Sequence, residues 1–262
     1  MHPFIRIGQL SLPSYGVMFA AAILICGALG CWRMHRSGGR WENALVILAT
    51  AFGFAIAGAA ALYMLVTYSA RELLHIIRTF TLPEGGSTGL VFLGGLLAAV
   101  PGALIGCRIV GASLATAVNP LLPIIPLGHA LGRVGCFLAG CCYGKPTTLA
   151  IGVVYTQSIT GVPTGIPLLP VQLIEASLLL AIFAVLMVLS KRCAPFRLLG
   201  IYALCYAVCR FVLETMRYDS IRGIYGGLST SQWISIFLLL AGIVLVLPRF
   251  NRRSPQDASE QT

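Results

Sequence analysis

Charged side chains are scarce in this 262-residue chain: Asp, Glu, Lys and Arg together make up 10% of it, against 58% hydrophobic residues. The mean hydropathy is +0.89. That balance excludes an ordinary soluble globule, in which about a quarter of the residues are charged, and describes a helical membrane protein with several spans. Acidic residues are the rarest of the charged types, 8 against 18 basic ones, for a formal net charge of +10. The basic residues, nearly all arginine, stand singly or in small groups at the ends of apolar runs. No massed basic patch exists, which excludes a nucleic-acid partner and favours orientation across a bilayer with contact to anionic lipid. No cleavable signal peptide is expected either. The first apolar run follows a short amphiphilic start and leads into further spans, so it is expected to be a membrane helix.

Two other patterns are absent. Nine cysteines are present, but none of them makes the CxxC spacing of zinc or thioredoxin-like sites. Six of them, Cys26, Cys31, Cys107, Cys193, Cys205 and Cys209, lie in or beside apolar runs, where cysteine acts as a small hydrophobe. Cys136, Cys141 and Cys142, with His129, leave a metal site open as an alternative, without a second spaced pair of ligands. The expectation is no metal and no cofactor. Internal repeats of convincing period are also absent, which argues against the paired halves of many transporters.

What remains is a series of apolar runs. The expected fold class is an all-α polytopic membrane protein of about seven transmembrane helices with a small extramembrane strand and loop module. The spans are expected at about 14–32, 44–66, 89–110, 119–143, 171–190, 198–216 and 230–247, within a single membrane domain over 1–253, followed by a disordered tail at 254–262. Residues 1–13 read as a leader. Arg71, His75 and Arg78 share one helical face, so 67–88 reads as an interfacial amphipathic segment. Pro101 predicts an irregular third span, and Pro120, Pro123 and Pro126 a broken entry to the fourth. Residues 144–170, with IGVVYTQ as a short strand and GVPTGIP as a turn, form the module, expected on the outer side. Arg33, Arg36 and Arg40, then Lys191, Arg192 and Arg197, then Arg249, Arg252 and Arg253 fall on one side when the spans alternate. By the positive-inside rule that side is cytoplasmic, with the amino terminus outside and the carboxyl terminus inside.

Charges inside these runs are where chemistry is expected. Arg133 lies among apolar and small residues, flanked by Gly132, Gly135, Gly140 and Gly144. An arginine at membrane depth costs about 2.5 kcal/mol or more and is kept where it meets water, a partner or an anion. The alternative is a small-residue packing face with a snorkelling arginine. Arg210, Glu214 and Arg217 stand at i, i+4 and i+7, on one helical face. They form either a self-satisfied cluster or a holder of an anionic leaving group. Gln172 and Glu175 stand at i and i+3 at the start of the fifth span, where a carboxylate also favours the helix dipole. His129 lies four residues before Arg133 on the same face, as a packed histidine or a proton acceptor.

GRVGCFLAGCCYG at Gly132–Gly144 is similar to the signature of the prolipoprotein diacylglyceryl transferases, approximately GRxGNFxNGExYG. Cys136, Ala139 and Cys141 replace its two asparagines and its glutamate. SYGVM at Ser14–Met18 resembles the family's first-span YGxM. FLGGLL at Phe92–Leu97 resembles its HGG segment, with Leu93 for the histidine. LPVQLIE at Leu169–Glu175 resembles PxQLYE, and RFVLETMR at Arg210–Arg217 resembles RFxxExxR. Asn119 stands where the family usually has an acidic residue. The resemblance covers nearly the whole chain in order and spacing.

The resemblance implies transfer of a diacylglyceryl group from phosphatidylglycerol to the lipobox cysteine thiol of a prolipoprotein, at the outer leaflet of a bacterial inner membrane, with release of glycerol phosphate. The expected partners are phosphatidylglycerol, the prolipoprotein signal peptide and the lipid bilayer. Arg210, Glu214, His129 and Tyr15 are then the expected catalytic residues. Arg133, Cys136, Gly140, Gly144, Gly94, Gly95, Gln172, Glu175 and Arg217 are the expected phosphatidylglycerol contacts. Either His129 or Glu214 would take the thiol proton. The alternatives are a transferase of the same fold with another acceptor or lipid, a non-enzymatic lipid binder or transporter, and a thiol redox or metal protein.

Overall fold

The computed structural model describes residues 3–8, 10–83, 89, 91–157, 161–218 and 224–247. The chain is an all-α polytopic membrane protein. Its described residues form helices α1 (Ser14–Arg36), α2 (Trp41–Thr67), α3 (Ala70–Thr79), α4 (Phe92–Ile109), α5 (Leu114–Leu121), α6 (Ile124–Ala139), α7 (Val171–Leu189), α8 (Pro195–Met216) and α9 (Thr230–Val246). Three small hairpins accompany them: β1 (Phe4–Ile7) with β2 (Leu10–Pro13), β3 (Val153–Val154) with β4 (Pro167–Leu168), and β5 (Ile224–Tyr225) with β6 (Leu228–Ser229), all antiparallel. The expected tail at 254–262, Asp219, Arg222, Arg249, Arg252 and Arg253 lie outside the described residues.

Four helices, α1, α2, α7 and α8, are long and apolar enough to cross a bilayer, and the bent pair of α4 with α5 is either a broken fifth span or a re-entrant loop. The helices α6 and α9 are apolar but shorter. At 16 residues, α6 spans about 24 Å, less than the ~30 Å of a hydrocarbon core. The run expected at 119–143 is divided because Pro120 falls inside α5, Pro123 caps α6 and Pro126 sits in the first turn of α6. The break expected at Pro101 lies elsewhere. The helix α4 runs through that proline and ends at Ile109, with Gly111 left-handed at φ +68°.

Two compact units are present, one of residues Gly30–Ala117 and one of Met1–Leu29 with Val118–Thr262. In the first, α2 packs along α4 through small residues. A methyl group on Gly94 would collide with the Gly58 carbonyl, and one on Gly95 would stand 3.0 Å from the Ala55 carbonyl. Such backbone approach gives two apolar helices dispersion contacts that lipid tails do not match. Gly94→Val is therefore expected to lower stability by about 1–3 kcal/mol through overpacking, read as a drop in thermal midpoint in detergent. The amphipathic segment after α2 is α3. Its N-terminus is closed by a capping box in which Ser69 Oγ accepts from the Glu72 N–H, while Glu72 accepts from the Ser69 N–H at 2.8 Å.

In the second unit, α6, α7, α8 and α9 pack in chain order. Ala130, Ala176 and Leu179 are buried together, with Val134 and Tyr206 against them. The leader read from 1–13 is the β1–β2 hairpin, and the Ser14 N–H that opens α1 donates to the Pro3 carbonyl at 2.9 Å. The module over 144–170 has a small core of its own, Tyr155, Val162 and Leu168, with Tyr143 packed on it. Its strands are only two residues long, so this core and not the ladder holds it.

Candidate functional site

The second unit brings its ionisable side chains together from three helices. The helix α6 carries His129 and Arg133 at i, i+4, α7 carries Glu175 in its second turn, and α8 carries Arg210 and Glu214 at i, i+4. Glu175 is the hub. It is 2% exposed. Its Oε1 lies 3.0 Å from Arg133 Nη2 and 3.7 Å from His129 Nε2, and its Oε2 lies 3.6 Å from Arg210 Nη1. Arg210 Nη2 lies 2.9 Å from Glu214 Oε2 and donates to Ser231 Oγ at 3.0 Å. The ion-pair chain is Arg133–Glu175–Arg210–Glu214, two guanidiniums against two carboxylates.

Pairing is what allows these charges at depth. Each ion removed from water costs several kcal/mol, and a mutual contact with good geometry offsets that. Arg133 and Arg210 come from different helices and are drawn to one carboxylate. Among the described residues, Arg133 Nε and Arg210 Nη1 are buried donors with no hydrogen bond of their own. The arrangement holds two guanidiniums on the two oxygens of one carboxylate, and Glu175 Oε1 and Glu214 Oε2 likewise make no hydrogen bond among the described residues. The apolar side chains of Leu178, Leu179, Ile182 and Leu213 lie beside Glu175 and Arg210, packed with no enclosed cavity between them.

The segment after α6 is fixed from the other side. Gly140 ends α6 in the left-handed region at φ +79°, and a side chain there would press on Val162 and Tyr155. Gln172 is fully buried, and its amide donates to the Cys141 carbonyl at 2.7 Å and to Tyr155 Oη at 3.1 Å. Burial pushes the Tyr155 phenol up from its ordinary value, with the hydrogen bond from Gln172 acting against it, so this hydroxyl stays protonated. Gln172→Leu is expected to leave both acceptors without their donor. It should cost about 1–3 kcal/mol, measured as a lower thermal midpoint of the purified protein.

The other residues singled out in the sequence fall as follows. Tyr15 stacks on Phe19 and lies against Gly135 of α6, where an added methyl would stand 3.2 Å from its ring. His129 lies 5.6 Å from the Tyr206 ring, centroid to centroid. The Gly144 N–H donates to the Leu169 carbonyl at 3.1 Å, and Gly144 bridges to Arg217 at the end of α8. Cys136 gathers with Cys141 and Cys142. Gly94 and Gly95 belong to the α2–α4 contact of the first unit. Asn119 donates to the Cys193 carbonyl at 3.2 Å. Ser231 escaped the sequence reading. A serine in the first turn of a helix, beside the Ser229–Gln232 capping box, reads as part of the cap, and no local pattern marks it as a partner of Arg210.

The family model described as "Prolipoprotein diacylglyceryl transferase" matches residues 3–248. Among similar proteins is a phosphatidylglycerol–prolipoprotein diacylglyceryl transferase of Clostridium tetani, 32% identical over 247 residues, 93% of this chain and 96% of that protein. Another of the same name from Bordetella avium is 31% identical over 260 residues, 96% of each chain. A third, from Clostridium perfringens, is 31% identical over 243 residues, 90% of each.

Proposed function

The chain belongs to the prolipoprotein diacylglyceryl transferase family, and on that footing we propose that it transfers the diacylglyceryl group of phosphatidylglycerol to the lipobox cysteine of a prolipoprotein. The observation that carries the reading is the convergence of Arg133 and Arg210 on Glu175, beside the apolar side chains of Leu178, Ile182 and Leu213. The phosphate of the lipid lies across the two guanidiniums, with an acyl chain along Leu178, Ile182 and Leu213. The substrate thiolate attacks the glyceryl carbon next to the phosphate oxygen. An S–C bond forms, the C–O bond breaks, and glycerol phosphate leaves with one more negative charge than the phosphodiester carried. Arginines already placed where that charge develops stabilise the transition state without reorganising.

His129 is the better placed acceptor of the thiol proton, because Glu214 is committed to Arg210, while an imidazolium at His129 would face Glu175. Gly140 and Gly144 let the chain after α6 lie close to the headgroup, and Arg217 adds charge at the end of α8. The site faces the outer leaflet of a bacterial cytoplasmic membrane, with Arg33 and Arg36 at the end of α1 and Arg197 at the start of α8 inside and the amino terminus outside. The signal peptide reaches the thiol's position from that side.

A second reading, a transferase of this fold with another acceptor or lipid, is favoured by Leu93, Cys136, Ala139 and Cys141 at the positions of the family's histidine, asparagines and glutamate. The test is purified protein supplied with phosphatidylglycerol labelled in its diacylglyceryl group and a lipobox peptide. The expected products are a thioether-linked peptide and free glycerol phosphate, identified by mass spectrometry. Label left in the lipid, while an active relative converts it in parallel, would reject the assignment in favour of the second reading.

A further inference from the structure

Three cysteines stand at one point of the structure, and no step above uses them. The sulfurs of Cys136, Cys141 and Cys142 all lie within 4.8 Å of one another. We propose that they form a three-thiolate site for one zinc ion, with the fourth coordination position left for an incoming thiol. Sulfurs bound at the usual Zn–S length of ~2.3 Å to a common tetrahedral ion stand about 3.8 Å apart, so the cluster needs little rearrangement to close on one ion.

The backbone is built to make this cluster. Gly140 turns the chain left-handed at the end of α6, and Cys142 is left-handed as well, at φ +60°, a region non-glycine residues seldom occupy. Between those turns the Cys141 N–H donates to the Cys136 carbonyl at 3.1 Å, and Cys141 Sγ contacts the same oxygen at 3.7 Å. Buried Gln172 holds the Cys141 carbonyl at 2.7 Å from the far side, as outer partners hold metal ligands in place. The spacing in the chain, one cysteine and then an adjacent pair, is not a familiar zinc pattern. The two left-handed turns produce the convergence that spacing alone does not suggest.

Charge and chemistry agree with the choice of ion. Zn²⁺ with three thiolates carries a net charge of −1; Arg133 stands about one turn before Cys136 on α6, and Arg217 bridges Gly144, two residues after Cys142. Thiolates select zinc over hard cations. Among the described residues no fourth His, Cys, Asp or Glu joins the group, which is the composition of an open site. With zinc in place an incoming thiol would bind there as thiolate, its proton passing to solvent instead of to His129 and a bound water leaving. This second part rests on the proposed transfer reaction, in which a thiolate is the nucleophile. The zinc-bound sulfur would then form the S–C bond as the C–O bond to phosphate breaks, with no net oxidation or reduction.

The experiment starts from the full chain purified in detergent without chelators. One zinc ion per chain is expected by elemental analysis, with three thiols protected from maleimide until a chelator is added. Cys136→Ser, Cys141→Ser and Cys142→Ser should each weaken zinc binding by at least about tenfold. Cobalt in place of zinc should give thiolate charge-transfer absorption, and its visible bands should change when a lipobox peptide thiol is added. Wild-type protein with no zinc and three freely reactive thiols, a disulfide among the three, or zinc kept by the triple serine variant would overturn the site. Cobalt bands unmoved by the peptide would overturn the open position. Zinc bound without any lipid transfer would count against the transferase reading and leave the metal site standing. Transfer without zinc would do the reverse.

Discussion

Arg133→Ala and Arg210→Ala are each expected to reduce diacylglyceryl transfer by roughly 100- to 1,000-fold, the loss that follows removal of one strong electrostatic contact from a transition state, about 2.7–4 kcal/mol. In the proposed reaction both guanidiniums meet the charge that grows as the phosphodiester becomes a phosphate monoester, so turnover should fall more than substrate affinity does. The lysine variants should fall between wild type and alanine. Lysine keeps the charge but loses the planar fork that grips a phosphate with two parallel hydrogen bonds. The double alanine variant should lose less than the product of the two single losses, because both arginines contact Glu175 and neither acts independently of it. The measurement is lipidation of a reporter precursor in a strain depleted of its own transferase, with the level of folded variant in the membrane determined alongside. Arg133→Ala and Arg210→Ala variants that lipidate at the wild-type rate would remove the arginine–phosphate contact from the mechanism.

How far this site was legible in the sequence differs from residue to residue. Arg133, Arg210 and Glu214 were legible because charge is so rare in the apolar runs that each instance demands a reason. Glu175 was half legible. A carboxylate near a helix start suits the helix dipole, and only the packing of α6 and α8 against α7 reveals that it meets Arg133, Arg210 and His129 together. Gln172 was read as a lipid contact beside it, and its amide is spent on Cys141 and Tyr155, groups in a loop that periodicity does not place. The ends of the long helices were legible to within a few residues, as α7 and α8 illustrate, because hydropathy and flanking arginines mark the same boundaries. The length of α6 was not. The prolines divide 119–143, and a helix surrounded by protein need not match the bilayer, so α6 stops at 16 residues. The β1–β2 hairpin was hidden for another reason. Its four-residue strands lie beside a long apolar run, and their alternation is too short to outweigh it.

Glu175→Gln is expected to produce the largest loss of stability of any single conservative change in the chain. The substitution keeps the shape of the side chain and removes its charge. Among the described residues Arg133 then loses its carboxylate partner, and Arg210 keeps Glu214. Breaking a buried ion pair from one side costs about 3–5 kcal/mol, because the remaining charge stays desolvated. A glutamate that merely favoured the start of α7 would be worth about 0.3–1 kcal/mol, so the thermal midpoint in detergent separates the two roles. Glu175→Asp should recover part of the loss, as it restores the charge on a shorter stem. Lipid binding should move the other way. With one carboxylate gone the cluster carries a net positive charge, and phosphatidylglycerol, as the missing anion, should raise the midpoint of Glu175→Gln more than it raises that of wild type. Transfer should still fall, since the two guanidiniums are no longer drawn to one point when the leaving group develops its charge. Equal stabilisation of wild type and variant by phosphatidylglycerol would show that the lipid phosphate does not share the guanidiniums with Glu175.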